Sequence, residues 1–162
     1  LPIYQVGDYA EGGIVFYVDE TGQNGLVAAM EDLGQFEWGC YGTSISGADG
    51  QVIGSGLQNT LDIVVGCSET PTAASEALAY ESGGYSDWYL PSLDELIEMY
   101  NTIGNGGSEV NIAGFEISYL PYYWSSTEYD NNHARSIDSS DGSFGYDHKG
   151  SSDFRVRPIR SF

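Results

Sequence analysis

The chain has 162 residues, enough for one domain with its own core. At 41% hydrophobic and 14% aromatic it is not a disordered chain, and no run of 18 apolar residues exists that would span a bilayer. Its 24 acids against 5 bases give a net charge of −19, a field that repels nucleic-acid phosphates and anionic lipid and attracts cations or basic partners. The distribution is sharper than the total. No Lys or Arg precedes Arg135, so residues 1–134, with 20 acids, carry −20, and residues 135–162, with four acids and five bases, carry +1. The chain starts at Leu1 with no signal-peptide pattern, which is expected of a processed or trimmed mature domain.

The first element is expected over residues 14–18, β-branched and aromatic. The turn-rich DETGQNG and a second strand over residues 26–30 then complete a hairpin. Residues 34–56, rich in Gly, Ser and aromatics, read as an ordered irregular region holding Trp38 and Cys40. In GLQNTLDIVVGC, the residues Leu57, Leu61, Val64 and Val65 fall on one helical face. Thr70 followed by Pro71 reads as a cap with proline at the first helical position. Ala73, Ala74, Ala77 and Leu78 form the apolar stripe of that helix, and Gly83 and Gly84 stop it. Trp88 and Tyr89 are expected to wedge the next junction against a sheet, with Pro91 fixing the approach. Ser92 and Glu95 form an S-x-x-E capping box, and Leu93, Leu96, Ile97 and Tyr100 a core-facing stripe. The last third is β. Residues 122–125 form a buried aromatic strand, residues 134–137 and 143–146 a hairpin around DSSDG, and FRVRPIRSF a closing extended strand.

Few of these segments carry chemistry. There is no Gly-Lys-Ser/Thr phosphate loop and no G-x-S-x-G elbow, and nothing ties His133 or His148 to a particular serine as a triad. DSSDG departs from the EF-hand template and reads as a turn. TEYDNNH, residues 127–133, packs carboxylate and amide oxygens into a short span. Glu128 and Asp130 suit calcium, the same group of oxygens suits sugar hydroxyls, and a plain solvated loop is the competing reading. Arg155 and Arg157 alternate with Val156, so both point to one side, where pairing with carboxylates is expected. For Cys40 and Cys67 two readings stand: one disulfide, or two buried thiols. Two cysteines and two histidines do not make a structural zinc site by themselves.

Six blocks in order, GGIVFYVDETGQNGLVAA, GSGLQNT, SDWYLPSLDEL, YYWSSTE, HARSIDSSDGSF and RVRPIRSF, together resemble the bacterial Lcl-type domain (DUF1566). That is the C-terminal domain of a Legionella collagen-like adhesin and of many exported bacterial proteins. The resemblance covers residues 12–162, nearly the whole chain. It implies a single α+β domain over residues 1–162, C-type-lectin-like, with two helices flanking a small twisted antiparallel sheet and the N- and C-terminal strands adjacent. It implies an extracellular or cell-surface binding module, not an enzyme, that takes a glycan or protein on another surface. No cofactor is required, calcium through Glu128 and Asp130 being an optional aid, and neither nucleic acid nor membrane insertion is involved. In hypervariable relatives the ligand surface lies between the Trp-Ser-Ser and final Arg-Val-Arg blocks. Carried over, that interval holds Tyr129, Asn131, Asn132, His133, Arg135, Asp138, Tyr146, His148 and Lys149, including the first bases of the chain. The sulfated glycosaminoglycan bound by the Legionella relative does not carry over, because a polyanion needs a cationic surface and this chain is −19. The alternative is a self-assembling homo-oligomeric subunit of a surface filament or pilus-like polymer, its acidic body meeting a base-containing tail. A resemblance to formylglycine-generating oxidases implies a reactive cysteine pair in the active site. Cys40 and Cys67 lie outside the interval expected to bind.

Overall fold

The computed structural model describes residues 1–162. One antiparallel sheet contains β1 (Tyr9–Ala10), β2 (Gly13–Val18), β3 (Gly25–Ala28) and β7 (Ile159–Ser161), in the order β1-β2-β3-β7. A second contains β4 (Tyr122–Glu128), β5 (His133–Asp138) and β6 (Phe144–His148), in that order. Between the sheets in sequence come α1 (Gly56–Gly66), α2 (Ala73–Ala79) and α3 (Leu93–Thr102). The architecture is therefore α+β with three helices and two small sheets, where the resemblance implies two helices and one sheet. The terminal strands share a sheet without being neighbours. All four β3 residues are buried, so this apolar strand takes an inner place, paired with β2 on one side and β7 on the other. The closing strand is also shorter than expected, because Arg155 makes only isolated bridges, to Gln35 and Tyr123.

Local chemistry explains where the elements start. In the β2–β3 loop the Asp19 carboxylate accepts from Thr21 Oγ1 at 2.6 Å and Asn24 Nδ2 at 2.7 Å, and these bonds hold its pKa at about 2. The cap of α2 is Thr72, not Thr70. Its hydroxyl accepts from Ser75 N while Ser75 Oγ accepts from Thr72 N, a reciprocal pair that Pro71, lacking an N–H, could not join. The Ser92–Glu95 box that starts α3 is present as expected. Glu95 does more than cap. It is fully buried, its Oε1 accepting from Ser92 N at 2.8 Å and its Oε2 from Gly54 N at 3.1 Å, so it ties α3 to the chain entering α1. Burial raises its pKa against the pull of these backbone donors. Gly56 is required beside it, since a Cβ there would lie 2.2 Å from Glu95 Oε1.

Two apolar clusters of 13 buried residues each lie on opposite faces of the second sheet. One joins Ile14, Phe16, Leu96, Met99, Tyr123 and Ile137, between the first sheet and α3. The other joins Trp38, Ile63, Ala74, Trp124, Ala134 and Phe154, beneath α1 and α2. Trp88 and Tyr89 fill the junction as expected. Trp88 packs on Val15, Val27 and Ala29, and Tyr89 exchanges two backbone hydrogen bonds with Ile159, each 2.9 Å. Pro91 then accepts from Ser126 N at 2.7 Å, linking this corner to the second sheet.

Three of the four stripe residues read on the first helix face away from the core, and only Val64 packs partly against the second cluster. Leu57, Leu61 and Val65 are exposed, Val65 by 88%, and the buried positions of α1 are Gly56, Asn59, Thr60 and Ile63. The inward face is polar because its groups are satisfied. Asn59 Nδ2 donates to Gly50 O at 2.7 Å, and Thr60 Oγ1 donates to Gly56 O at 2.7 Å while accepting from Leu90 N at 3.1 Å.

Cys40 and Cys67 form a disulfide across a separation of 27 residues, which settles the two readings in favour of the bond. Closing a loop of that length predicts about 3.5 kcal/mol of stabilisation through the unfolded chain. Urea unfolding with and without reductant should show that loss. A difference under about 1 kcal/mol would mean that the loop is held by its other contacts.

Candidate ligand-binding face

Strand β5 alternates between two faces, with Ala134, Ser136 and Asp138 on one and His133, Arg135 and Ile137 on the other. Ala134 packs with Trp124 and Ile63 beneath α1 and α2, so by alternation His133 and Arg135 face the opposite way. They lie across from β6, His133 beside His148, Arg135 beside Tyr146 and Ile137 beside Phe144. At the Ile137 end this face belongs to the core with Leu96 and Met99, and at the His133 end it is open.

The open end is a ladder of rings. Tyr129 and Tyr146 stack face to face at 4.1 Å with 2° between their planes, and both stand about half exposed. The guanidinium of Arg135 lies 4.6 Å from the centre of the Tyr129 ring. His133 meets the Tyr146 ring edge-on at 5.2 Å. Farther along, His148 stacks on Tyr41 at 4.1 Å. Arg135 has no carboxylate partner, and its Nε is the only buried side-chain polar atom in the protein without a hydrogen bond.

Of the nine residues carried over from the resemblance, Tyr129, His133, Arg135, Tyr146 and His148 come together on this surface. Asn131 and Asn132 form the adjoining hairpin tip. Their backbone carbonyls accept from Gly42 N and Lys149 N, both at 2.9 Å. Two residues need correction. Asp138 is turned into its own turn, where its Oδ1 accepts from Ser140 N at 2.9 Å. Lys149 is fully buried. Its Nζ donates to Thr43 O and Glu128 Oε2, both at 2.8 Å, and sits 4.7 Å from the Trp38 ring centre, so it is out of a ligand's reach.

The same pair decides the calcium reading. Glu128 Oε2 takes Lys149 and also Ile45 N at 2.8 Å, and its Oε1 takes Ser44 Oγ at 3.2 Å. Asp130 Oδ1 is used by Asn132 N, His133 N and His133 Nδ1, each 2.8 Å away. Partial desolvation works the other way, yet the bonds from Asn132 and His133 hold the Asp130 carboxyl below its usual range. A cation at Glu128 would have to displace a buried ammonium, so these residues do not fit a calcium pair.

Tyr41 is the member of the face that the sequence did not reveal. It sits far from the interval in sequence and arrives through the Cys40–Cys67 bond and the docking of residues 38–42, where Trp38 N and Gly39 N donate to Lys149 O just past β6 and Gly42 N donates to Asn131 O. The expected pairing of Arg155 also needs correction. Arg155 donates to the carbonyls of Leu120 and Tyr119, whereas Arg157 and Arg160 do pair with carboxylates.

Fold and face together define a small α+β domain with an open surface of stacked rings and amides on a strand pair. The apolar pocket beside α3, lined by Leu96, Tyr100 and Phe115 among others, holds only about 10 Å³, room for no more than a water. The family model of the Lcl C-terminal domain matches residues 44–160, and the chain belongs to that family. A comparison with curated proteins finds no match. No helix is long and apolar enough to cross a membrane.

Proposed function

We propose that this is a non-catalytic, adhesin-like binding module of the bacterial cell surface, a single C-type-lectin-like domain that takes a glycan or protein ligand on its β5–β6 face. The observation that carries the reading is the exposed Tyr129–Tyr146 stack, flanked by an Arg135 that has no carboxylate partner. Rigid rings offer contact area at little entropic cost, and the apolar face of a sugar or a side chain packs on them. Asn131, Asn132 and His133 supply donors and acceptors at the rim, and the Arg135 guanidinium, paired with no carboxylate, supports an acceptor on the ligand. Family membership supports a surface role, and the net charge of −19 argues against polyanionic ligands.

A glycan array and a pull-down from surface proteins, each with and without calcium, test this. A ligand should be retained in both conditions. The double variant Tyr129→Ala/Tyr146→Ala should weaken it roughly tenfold or more with the melting temperature unchanged. No ligand on either platform, or a double variant that binds as well as the parent, would sink the proposal.

A further inference from the structure

The apolar stripe of α1 is a feature that the β5–β6 face does not use. Leu57, Leu61 and Val65 recur every four residues along its outer side, and Val52 and Ile53 are also exposed in the turn before the helix. This spacing spans about 12 Å, two turns of a partner helix. The exposure is built in, because rotating α1 to bury the leucines would pull Asn59 and Thr60 from their buried hydrogen bonds. The patch also lies on the other side of the second sheet from the ring ladder, since Ile63 of α1 packs with Ala134 while Arg135 faces away.

We infer that the outer face of α1 is a second interaction surface, which docks a basic amphipathic helix of another polypeptide. Charge selects that occupant. Asp62 lies on the helix, where it accepts from Gln58, Asp49 precedes it, Asp94 is tied to the preceding turn by its N–H on Gln51 O, and residues 1–134 carry −20 with no base before Arg135. A second copy would bring another −19 chain and the same acids to the contact, and anionic lipid is repelled in the same way. Leucines of a partner helix would pack between Leu57, Leu61 and Val65 while its lysines or arginines reach the acids.

The test uses a helical peptide of roughly 15 Leu and Lys residues, patterned with one apolar face, and the same peptide with Glu for Lys. The Lys peptide should bind with amide shifts concentrated over residues 52–65, and weaken as salt rises. Leu57→Ser/Leu61→Ser should reduce its affinity roughly tenfold without changing the melting temperature, while Tyr129→Ala leaves it unchanged. Three results would each overturn the inference. These are equal binding of the Glu peptide, binding of the Lys peptide that the Leu variant does not weaken, and concentration-dependent self-association of the protein that the Leu variant abolishes.

Discussion

Arg157→Ala is expected to cost about 3–5 kcal/mol of folding stability and to lower the melting temperature by roughly 10 °C. Arg157 is 2% exposed and serves two separate segments, residues 29–32 and 113–114. Its Nε pairs with Asp32 Oδ1 at 2.8 Å, and its Nη1 donates to Ala29 O at 3.1 Å and Ala113 O at 2.7 Å. The guanidinium also covers the Phe115 ring at 4.5 Å. The other oxygen of Asp32 accepts from the Tyr123 hydroxyl at 2.7 Å, and that hydroxyl accepts from Glu116 N at 2.8 Å. Burial, and then the Asp32 charge, push the Tyr123 hydroxyl far above its usual pKa, so it stays a donor at any physiological pH. Truncating Arg157 leaves a half-sequestered carboxylate and two buried carbonyls with no donor. Arg157→Lys should recover only part of the loss, because one ammonium cannot serve a carboxylate and two carbonyls from the planar fork. Urea unfolding followed by tryptophan fluorescence measures both. A loss under about 1 kcal/mol for the Ala variant would show that water replaces the guanidinium and that the network is surface-like.

What could be read from the sequence was mostly local. α3 was legible because its cap, first turn and apolar stripe all lie within a few residues, and the Trp88–Tyr89 wedge because large aromatics beside a proline and a cap have few other places to go. The orientation of α1 was not. Periodicity identifies a face but not which side meets the core, and here the polar side is inward because Gly50, Leu90 and Ser126 offer it partners from other segments. The binding interval was legible as a stretch rich in Tyr, Asn and His. Which members stay free was not, since pairing across distant segments consumes Lys149 and Glu128, and the geometry of its own turn consumes Asp138. Tyr41 had no local signal, because its place on His148 depends on a disulfide that composition alone left open.

Lys149 separates the two ways of reading that interval. As a ligand contact, its replacement would leave stability within about 0.5 kcal/mol and weaken binding. As a buried ion-pair member, Lys149→Met should cost about 3–5 kcal/mol, because Glu128 would remain sequestered with only Ile45 N and Ser44 Oγ as donors. Removing both charges, in Lys149→Met/Glu128→Leu, should cost less than the sum of the two single variants, since no lone charge stays behind. The loop carrying Tyr41 is fixed partly through Thr43 O on Lys149 Nζ, so the single Lys variant should also free the Tyr41–His148 stack. Chemical denaturation of the three variants measures the coupling, and the His148 ring resonances report the stack. A stable Lys149→Met protein with an undisturbed His148 signal and lost ligand binding would return Lys149 to the recognition face.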